Sequence, residues 1–328
     1  MKQLFAAMID ALEAGERVVL CSILASSGSA PRGAGAKMAV FADGTTRGTI
    51  GGGAVERTAT LDAMQILQSG GEKLQAFTLS PNQVNDIGMI CGGAVTVYFQ
   101  CFLPEDAAAR RTLERIHTLL QGNADAWLFL QLEGGKVTKT EAYTQDELPN
   151  PALFGKRAQL IQGEPMVYTE PIVRAGQVYV FGGGHVGRAL VPILAGVEFR
   201  VTLVDNRPEF AIQENFPQAQ RVVLGEYTNI GDKITIGSSD YVVIMTTGHQ
   251  ADFEVLQQVL PANPRYIGCI GSRAKIARTN ERLAEAGFSP AQIARIHAPI
   301  GLSILAQTPG EIAISIAAEM IRCRAENE

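Results

Sequence analysis

The sequence predicts an α/β protein: a C-terminal Rossmann-like parallel sheet with helices on both faces, preceded by an N-terminal α/β domain on a mixed sheet. Three observations predict it. Residues 178–210, VYVFGGGHVGRALVPILAGVEFRVTLVDNRPEF, read as an apolar strand, a glycine turn, a helix and a second strand that closes on an acid. Beyond that acid, apolar strands and helices keep alternating, which implies parallel strands buried on both sides. Before it, Pro149, Pro151, Pro165 and Pro171 interrupt the pattern and mark a boundary. The division that follows is an N-terminal domain over 1–150, its middle segment the less defined part, a linker over 151–172, and a Rossmann-like domain over 173–328.

Composition sets the outer limits. A chain of 328 residues with 46% hydrophobic and 19% charged residues can bury two cores. A net charge of −5 argues against a general nucleic-acid surface, which needs a basic footprint to displace counterions. No apolar run approaches the ~20 residues that span a bilayer. The first helix also carries Asp10, Glu13 and Glu16 where a signal peptide would be apolar, so a cytoplasmic protein without membrane attachment is expected. Cys21, Cys91, Cys101, Cys269 and Cys323 are odd in number and free of C-x-x-C pairs, which indicates neither a disulfide framework nor a zinc site.

Taken in order, Leu4, Phe5, Met8, Ile9 and Leu12 give an amphipathic first helix, followed by a strand over 18–25. The loop SSGSAPRGAGA, residues 26–36, then leads into Lys37 and a strand over 38–41. It reads either as a flexible connection or as an anion loop, in which Arg32 and Lys37 add a guanidinium fork and an ammonium to exposed backbone N–H groups. Next, Gly51, Gly52 and Gly53 precede an apolar-periodic helix and read equally as an anion-binding helix start or as close helix-on-sheet packing. Cys91, beside Gly92 and Gly93 at the mouth of a strand over 94–102, reads as a small buried hydrophobe or as an approachable thiolate able to meet a soft metal or carry sulfur. A helix over 104–121 and a strand over 126–132 complete this part.

In the C-terminal half, Gly182, Gly184 and Gly187 have the G-x-G-x-x-G spacing of a dinucleotide turn. Asp205 follows at the roughly 20-residue interval where an acid meets a ribose hydroxyl. Strands over 220–224, 241–246 and 265–270 and helices over 252–260 and 273–286 continue the alternation. Ligands in such sheets sit outside the carboxyl ends of the strands. That rule selects Gly182, Gly184, His185, Val186, Gly187, Asp205, the loop carrying His249, and the loop carrying Ser272 and Arg273 as one rim. Arg273 opens a helix, so an anion there would meet dipole and guanidinium together. His297, in the loop HAPIGL, reads as a loop anchor or a ligand contact. The final helix, over 309–321, has an apolar arc too wide for a surface helix, which implies deep burial or a subunit contact such as a homodimer.

Several of these motifs together resemble the XdhC/CoxI family, the accessory proteins of xanthine dehydrogenase and related molybdenum hydroxylases. The resemblance is carried by GSAPRGAGAKM, GTIGGGAVE, MICGGAV, VFGGGHVGRAL with VDNRPEFA, and IGSRAK, HAPIGL and TPGEIAISIAAEMI, in that order along nearly the whole chain except residues 104–172. One departure stands at Thr247, in TTGHQAD, where relatives commonly carry histidine directly after the first threonine. The resemblance implies a cofactor-binding chaperone more than an enzyme. Such a protein binds molybdenum cofactor, as molybdopterin or its cytosine dinucleotide, protects it during sulfuration, and inserts it into a hydroxylase apo-enzyme, with a cysteine desulfurase as a further partner. In that reading Gly182–Gly187 hold the phosphate or pyrophosphate, and Cys91 meets the molybdenum or its sulfur. The alternative from the residues alone is an NAD-dependent oxidoreductase, whose only candidate acid–base pair is His249 with Asp252.

Overall fold

The computed structural model describes residues 1–28, 30, 32–79 and 93–326, and the chain forms two compact units, Met1–Arg174 and Ala175–Glu328. The first unit runs α1 (Lys2–Glu13), β1 (Val18–Gly28), β2 (Lys37–Phe41), β3 (Thr46–Gly48), α2 (Gly53–Ser69), β4 (Glu72–Leu79), β5 (Gly93–Phe102), α3 (Ala107–Gln121), β6 (Ala126–Glu133), β7 (Lys136–Thr144), β8 (Gln159–Ile161) and β9 (Met166–Val173). Its strands form a five-stranded sheet in the order β3-β2-β1-β5-β4 and a four-stranded sheet in the order β7-β6-β9-β8. The pairings in both are antiparallel, where the sequence led us to expect a mixed sheet.

β1 shows why. Alternate residues of a strand face opposite sides of the sheet, and here Val18, Leu20 and Leu24 join Leu4, Phe5 and Met8 of α1 in one core. Val19, Cys21 and Ile23 join Val55, Ala59 and Ile66 of α2 in another. The first core continues into the second sheet through Leu128, Leu130, Tyr168 and Ile172. Residues 151–172 are therefore not a linker, because they carry β8 and β9 within the first unit. Proline there does not stop a strand: Pro171 lies in β9 opposite Trp127, beside a register irregularity, the kind of place where a missing N–H is tolerated.

The second unit runs β10 (Gln177–Phe181), α4 (His185–Gly196), β11 (Arg200–Asp205), β12 (Arg221–Leu224), β13 (Tyr241–Ile244), α5 (His249–Val259), β14 (Tyr266–Cys269), α6 (Arg273–Glu285), α7 (Pro290–Ile293), β15 (Ile296–His297) and α8 (Pro309–Glu326). Its sheet is parallel throughout, in the order β12-β11-β10-β13-β14-β15. This is the Rossmann order, with the switch point between β10 and β13. Leu190, Leu194, Ile316 and Met320 cover one face and Val255, Leu256, Val259 and Leu283 the other. α8 buries Ala313, Ile316, Ala317 and Met320 but leaves Ile314 and Ile321 exposed, so its wide apolar arc is only partly covered. Among the described residues no helix is long and apolar enough to cross a membrane.

Candidate functional site

The three glycines that follow β10 do three different things. Gly182 has φ +114°, and a Cβ on it would lie 2.4 Å from the Met245 carbonyl oxygen, so this turn admits no side chain. A Cβ on Gly187 would lie 2.2 Å from the Gly182 carbonyl oxygen, which is the close approach of helix to strand. Gly184, by contrast, has open space within 4 Å of where its Cβ would be. It is the N-cap of α4, and no side chain caps that helix. The first N–H groups of a helix have no partner inside it, so the turn presents backbone donors where an anion can reach them. His185 is exposed at the first position of α4, and Val186 is half-buried against the core.

Asp205 ends β11 next to this turn, fully buried. Its Oδ2 accepts from the Gly183 N–H at 2.7 Å and from Arg207 Nη2 at 2.8 Å. Its Oδ1 accepts from the Arg207 backbone N–H and from Arg207 Nε, both at 2.9 Å. Burial alone would raise its pKa, but the Arg207 side chain and the two backbone N–H groups outweigh it and hold the carboxyl below its ordinary range. The guanidinium of Arg207 lies 3.8 Å from the centre of the Phe210 ring, with Arg188 5.8 Å from the same ring.

At the carboxyl ends of β13 and β14 the polar groups lock the loops together. Thr246 Oγ1 donates to Asp252 Oδ1 at 2.5 Å and the Thr246 N–H to the same oxygen at 3.2 Å. The Lys275 ammonium is ion-paired with the fully buried Asp252 and also reaches the Ile270 carbonyl at 3.5 Å. Ser272 caps α6 by accepting from the Lys275 N–H at 3.3 Å. Arg273 and His249 are exposed at the first positions of α6 and α5. Asp252 is thus committed to Thr246 and Lys275, and the His249–Asp252 pair considered from the sequence is not formed. Parallel strands put the Gly182, Thr246 and Gly271 loops on one rim, as the strand rule requires.

The first unit holds the other candidates. Gly51, Gly52 and Gly53 have φ of 125°, 73° and 61° and form an open backbone at the start of α2. That opening is filled by the chain itself: Glu56 Oε2 accepts from Thr49 Oγ1 at 2.6 Å, the Ile50 N–H at 3.1 Å and the Gly52 N–H at 3.0 Å. Lys37, expected to offer its ammonium to a ligand, is buried and ion-paired with Glu170 of β9, which also accepts from Tyr168 Oη at 2.5 Å. Arg32 is exposed in its loop. Cys91 lies outside the described residues. Sequence reasoning missed Arg207, Glu56 and Lys275. The available signals were an arginine two residues after the strand-ending acid, a glutamate in the first turn after the glycines, and a lysine three residues after a capping serine. No group of three or more His, Cys, Asp or Glu among the described residues could hold a metal ion.

Comparison with known proteins gives consistent matches. A model described as the XdhC Rossmann domain matches residues 178–320, and one described as the XdhC and CoxI family matches residues 11–78. The Escherichia coli K12 protein YqeB, itself uncharacterized, is 27% identical over 305 residues, covering 93% of this chain but 43% of that protein, so this chain spans less than half its length. A Bacillus subtilis protein described as a probable xanthine dehydrogenase subunit is 27% identical over 346 residues, covering 98% of this chain and 97% of that one. The molybdenum cofactor insertion chaperone PaoD of Escherichia coli K12 is 23% identical over 324 residues, covering 98% and 87%. A crystal structure of a xanthine dehydrogenase from Bacillus halodurans superimposes with a TM-score of 0.82 at 25% identity, over 99% of this chain and 96% of that one.

Proposed function

The chain belongs to the XdhC and CoxI family, and we propose that it serves a molybdenum hydroxylase as an accessory protein. It binds molybdenum cofactor, as molybdopterin or its cytosine dinucleotide, shields it while the terminal sulfur is added, and inserts it into a xanthine dehydrogenase-type apo-enzyme. Similarity to PaoD and to the Bacillus subtilis protein supports the reading.

The observation that carries it is the open turn at Gly184. The cofactor carries a phosphate, or in its dinucleotide form a pyrophosphate, and the uncapped start of α4 offers such a group N–H donors and the favourable end of a helix dipole. His185 and Val186 belong to that cradle. Cys91 enters on chemistry alone, as the soft thiolate that would meet the molybdenum or its sulfur. Among the described residues, the two groups that a dehydrogenase reading would use are otherwise engaged: Asp205 is paired with Arg207, and Asp252 with Lys275 instead of His249.

The test is purification without oxygen, followed by assay for molybdenum and for oxidised-pterin fluorescence, then addition to sulfur-free apo-hydroxylase. Retained pterin and activation of the hydroxylase are expected. Absence of pterin binding at micromolar cofactor overturns the proposal. Cys91→Ala should retain cofactor yet fail to deliver its sulfurated form, and normal delivery would return the thiol to a packing role.

A further inference from the structure

In Rossmann units that take NAD, the acid at the end of the second strand offers a free carboxylate to the ribose hydroxyls. A carboxylate has about four acceptor positions. On Asp205 all of them are in use: the Gly183 N–H, the Arg207 N–H, Arg207 Nε and Arg207 Nη2 supply the donors, and the side chain has no exposed surface. A ribose diol arriving there would find no acceptor, and it would have to displace a bidentate guanidinium from a buried carboxylate.

The same arginine presents a different surface outward. A guanidinium carries five N–H bonds in a fixed plane, and Arg207 commits only Nε and one Nη2 bond to Asp205. Its side chain is 30% exposed, and its plane is held against the Phe210 ring, which also has Arg188 nearby. Asp205 and Glu209 equal Arg207 and Arg188 in number, so it is the free edge of the Arg207 fork, not net charge, that an oxyanion would meet here. Arginine forks match phosphate oxygens, and an arginine at this point of a Rossmann unit is how a phosphorylated ribose is accommodated.

The geometry points to Arg207 as the specificity-determining residue of this crevice: it turns away an unphosphorylated ribose diol and accepts a phosphate-bearing group in its place. This deepens the proposed function and rests on its premise that the turn at Gly182–Gly187 is the ligand site. Within that reading it favours molybdopterin, which ends in a phosphate with no ribose beyond it, over the cytosine dinucleotide, whose cytidine carries an unphosphorylated ribose diol.

The 328-residue chain is titrated with NADPH and NADH, two probes that differ only in the ribose 2′-phosphate, by calorimetry and by nicotinamide fluorescence. NADPH should bind at least about tenfold more tightly, the loss expected for one charge-assisted phosphate contact. Arg207→Met should abolish the preference and raise NADH affinity, because it releases Asp205. Arg207→Lys, which keeps the charge without the fork, should fall between, and it remains informative if the methionine variant does not fold. Equal affinities in the wild type, or no measurable NADPH binding at millimolar concentration, would overturn the inference. Pterin retention is scored on the same preparations. Loss of pterin binding with the NADPH preference intact refutes the chaperone reading alone, whereas retained pterin with equal nucleotide affinities refutes the role of Arg207 alone.

Discussion

Alanine at each of the three glycines separates the fold from the ligand site, because the structure assigns them different costs. At Gly184 a methyl meets no atom within 4 Å, and the backbone, at φ −69° and ψ −164°, is one that alanine adopts. Gly184→Ala should therefore change stability by less than about 1 kcal/mol, the gain through the unfolded state being offset by alanine's poorer N-capping. The same methyl stands where an anion would approach the helix start. Losing one hydrogen bond to a charged group costs about 1.5–3 kcal/mol, so cofactor affinity should fall roughly 10- to 100-fold. At Gly187 the methyl would lie 2.2 Å from a backbone carbonyl oxygen that cannot swing away. Overpacking of that kind costs about 1–3 kcal/mol, and for a domain of this size each kcal/mol lowers Tm by about 2–4 °C. Urea unfolding and pterin retention on the two variants decide the matter. The reasoning fails if Gly184→Ala binds cofactor like wild type, or if it is destabilised as much as Gly187→Ala.

Three further outcomes follow from the buried polar groups and the single tryptophan. Lys275→Met leaves Asp252 buried without its counter-charge and should cost about 3–5 kcal/mol in urea unfolding, whereas Lys275→Met with Asp252→Asn should recover part of that loss; additive costs would deny the pair. Glu319 accepts from Tyr266 Oη at 2.6 Å and the Gly301 N–H at 2.9 Å, with His297 Nδ1 at 3.4 Å. Burial opposes ionisation, yet the His297, Tyr266 and Gly301 contacts prevail and bring its pKa down to about 2. A depressed pKa gives stability that is complete above the unfolded value of about 4.3 and is lost as pH falls through the folded one. Wild type should thus weaken between about pH 4 and pH 2 more steeply than Glu319→Gln, and parallel profiles would refute the assignment. Trp127, the one tryptophan of the chain, is buried in the first unit. Its fluorescence should follow the unfolding of that unit while far-UV circular dichroism follows both, so Gly187→Ala should move the dichroism curve and leave the fluorescence midpoint in place.

The Rossmann half was legible because its glycine spacing encodes backbone geometry. Gly182 and Gly187 are fixed by contacts within the strand–turn–helix unit itself and the adjoining end of β13, and local sequence carries local constraints. What the sequence concealed were partners brought together by tertiary structure. Lys37 looked available because it follows a glycine loop, but Glu170 of β9 lies beside it in the fold and takes its ammonium. Residues 151–172 looked like a linker because their prolines read as breaks, although Pro171 occupies a position in β9 beside an irregular register. Arg207 was visible as a residue and not as a role, since only the folded chain shows its fork turned back onto Asp205 and laid on Phe210.

The two glycine clusters make the same distinction within one molecule. Both open a helix after a tight turn, and from the sequence each is a candidate anion site, the first of them equally a close packing of helix on sheet. At Gly51–Gly53 the chain supplies the anion: Glu56 reaches back from the first turn of α2. Burial opposes its ionisation, but its hydrogen bonds to Thr49, Gly52, Ile50 and Gly51 prevail and lower its pKa. A second anion there would have to displace a carboxylate that already holds the donors. At the other cluster the neighbouring carboxylate, Asp205, holds the Gly183 N–H, and beyond it no side chain caps α4 at Gly184. Glu56→Gln should accordingly weaken the first unit by about 1–2 kcal/mol, because a neutral amide accepts those hydrogen bonds less strongly than a carboxylate, and leave nucleotide binding at the second untouched. A change in NADPH affinity on Glu56→Gln would refute this division of roles.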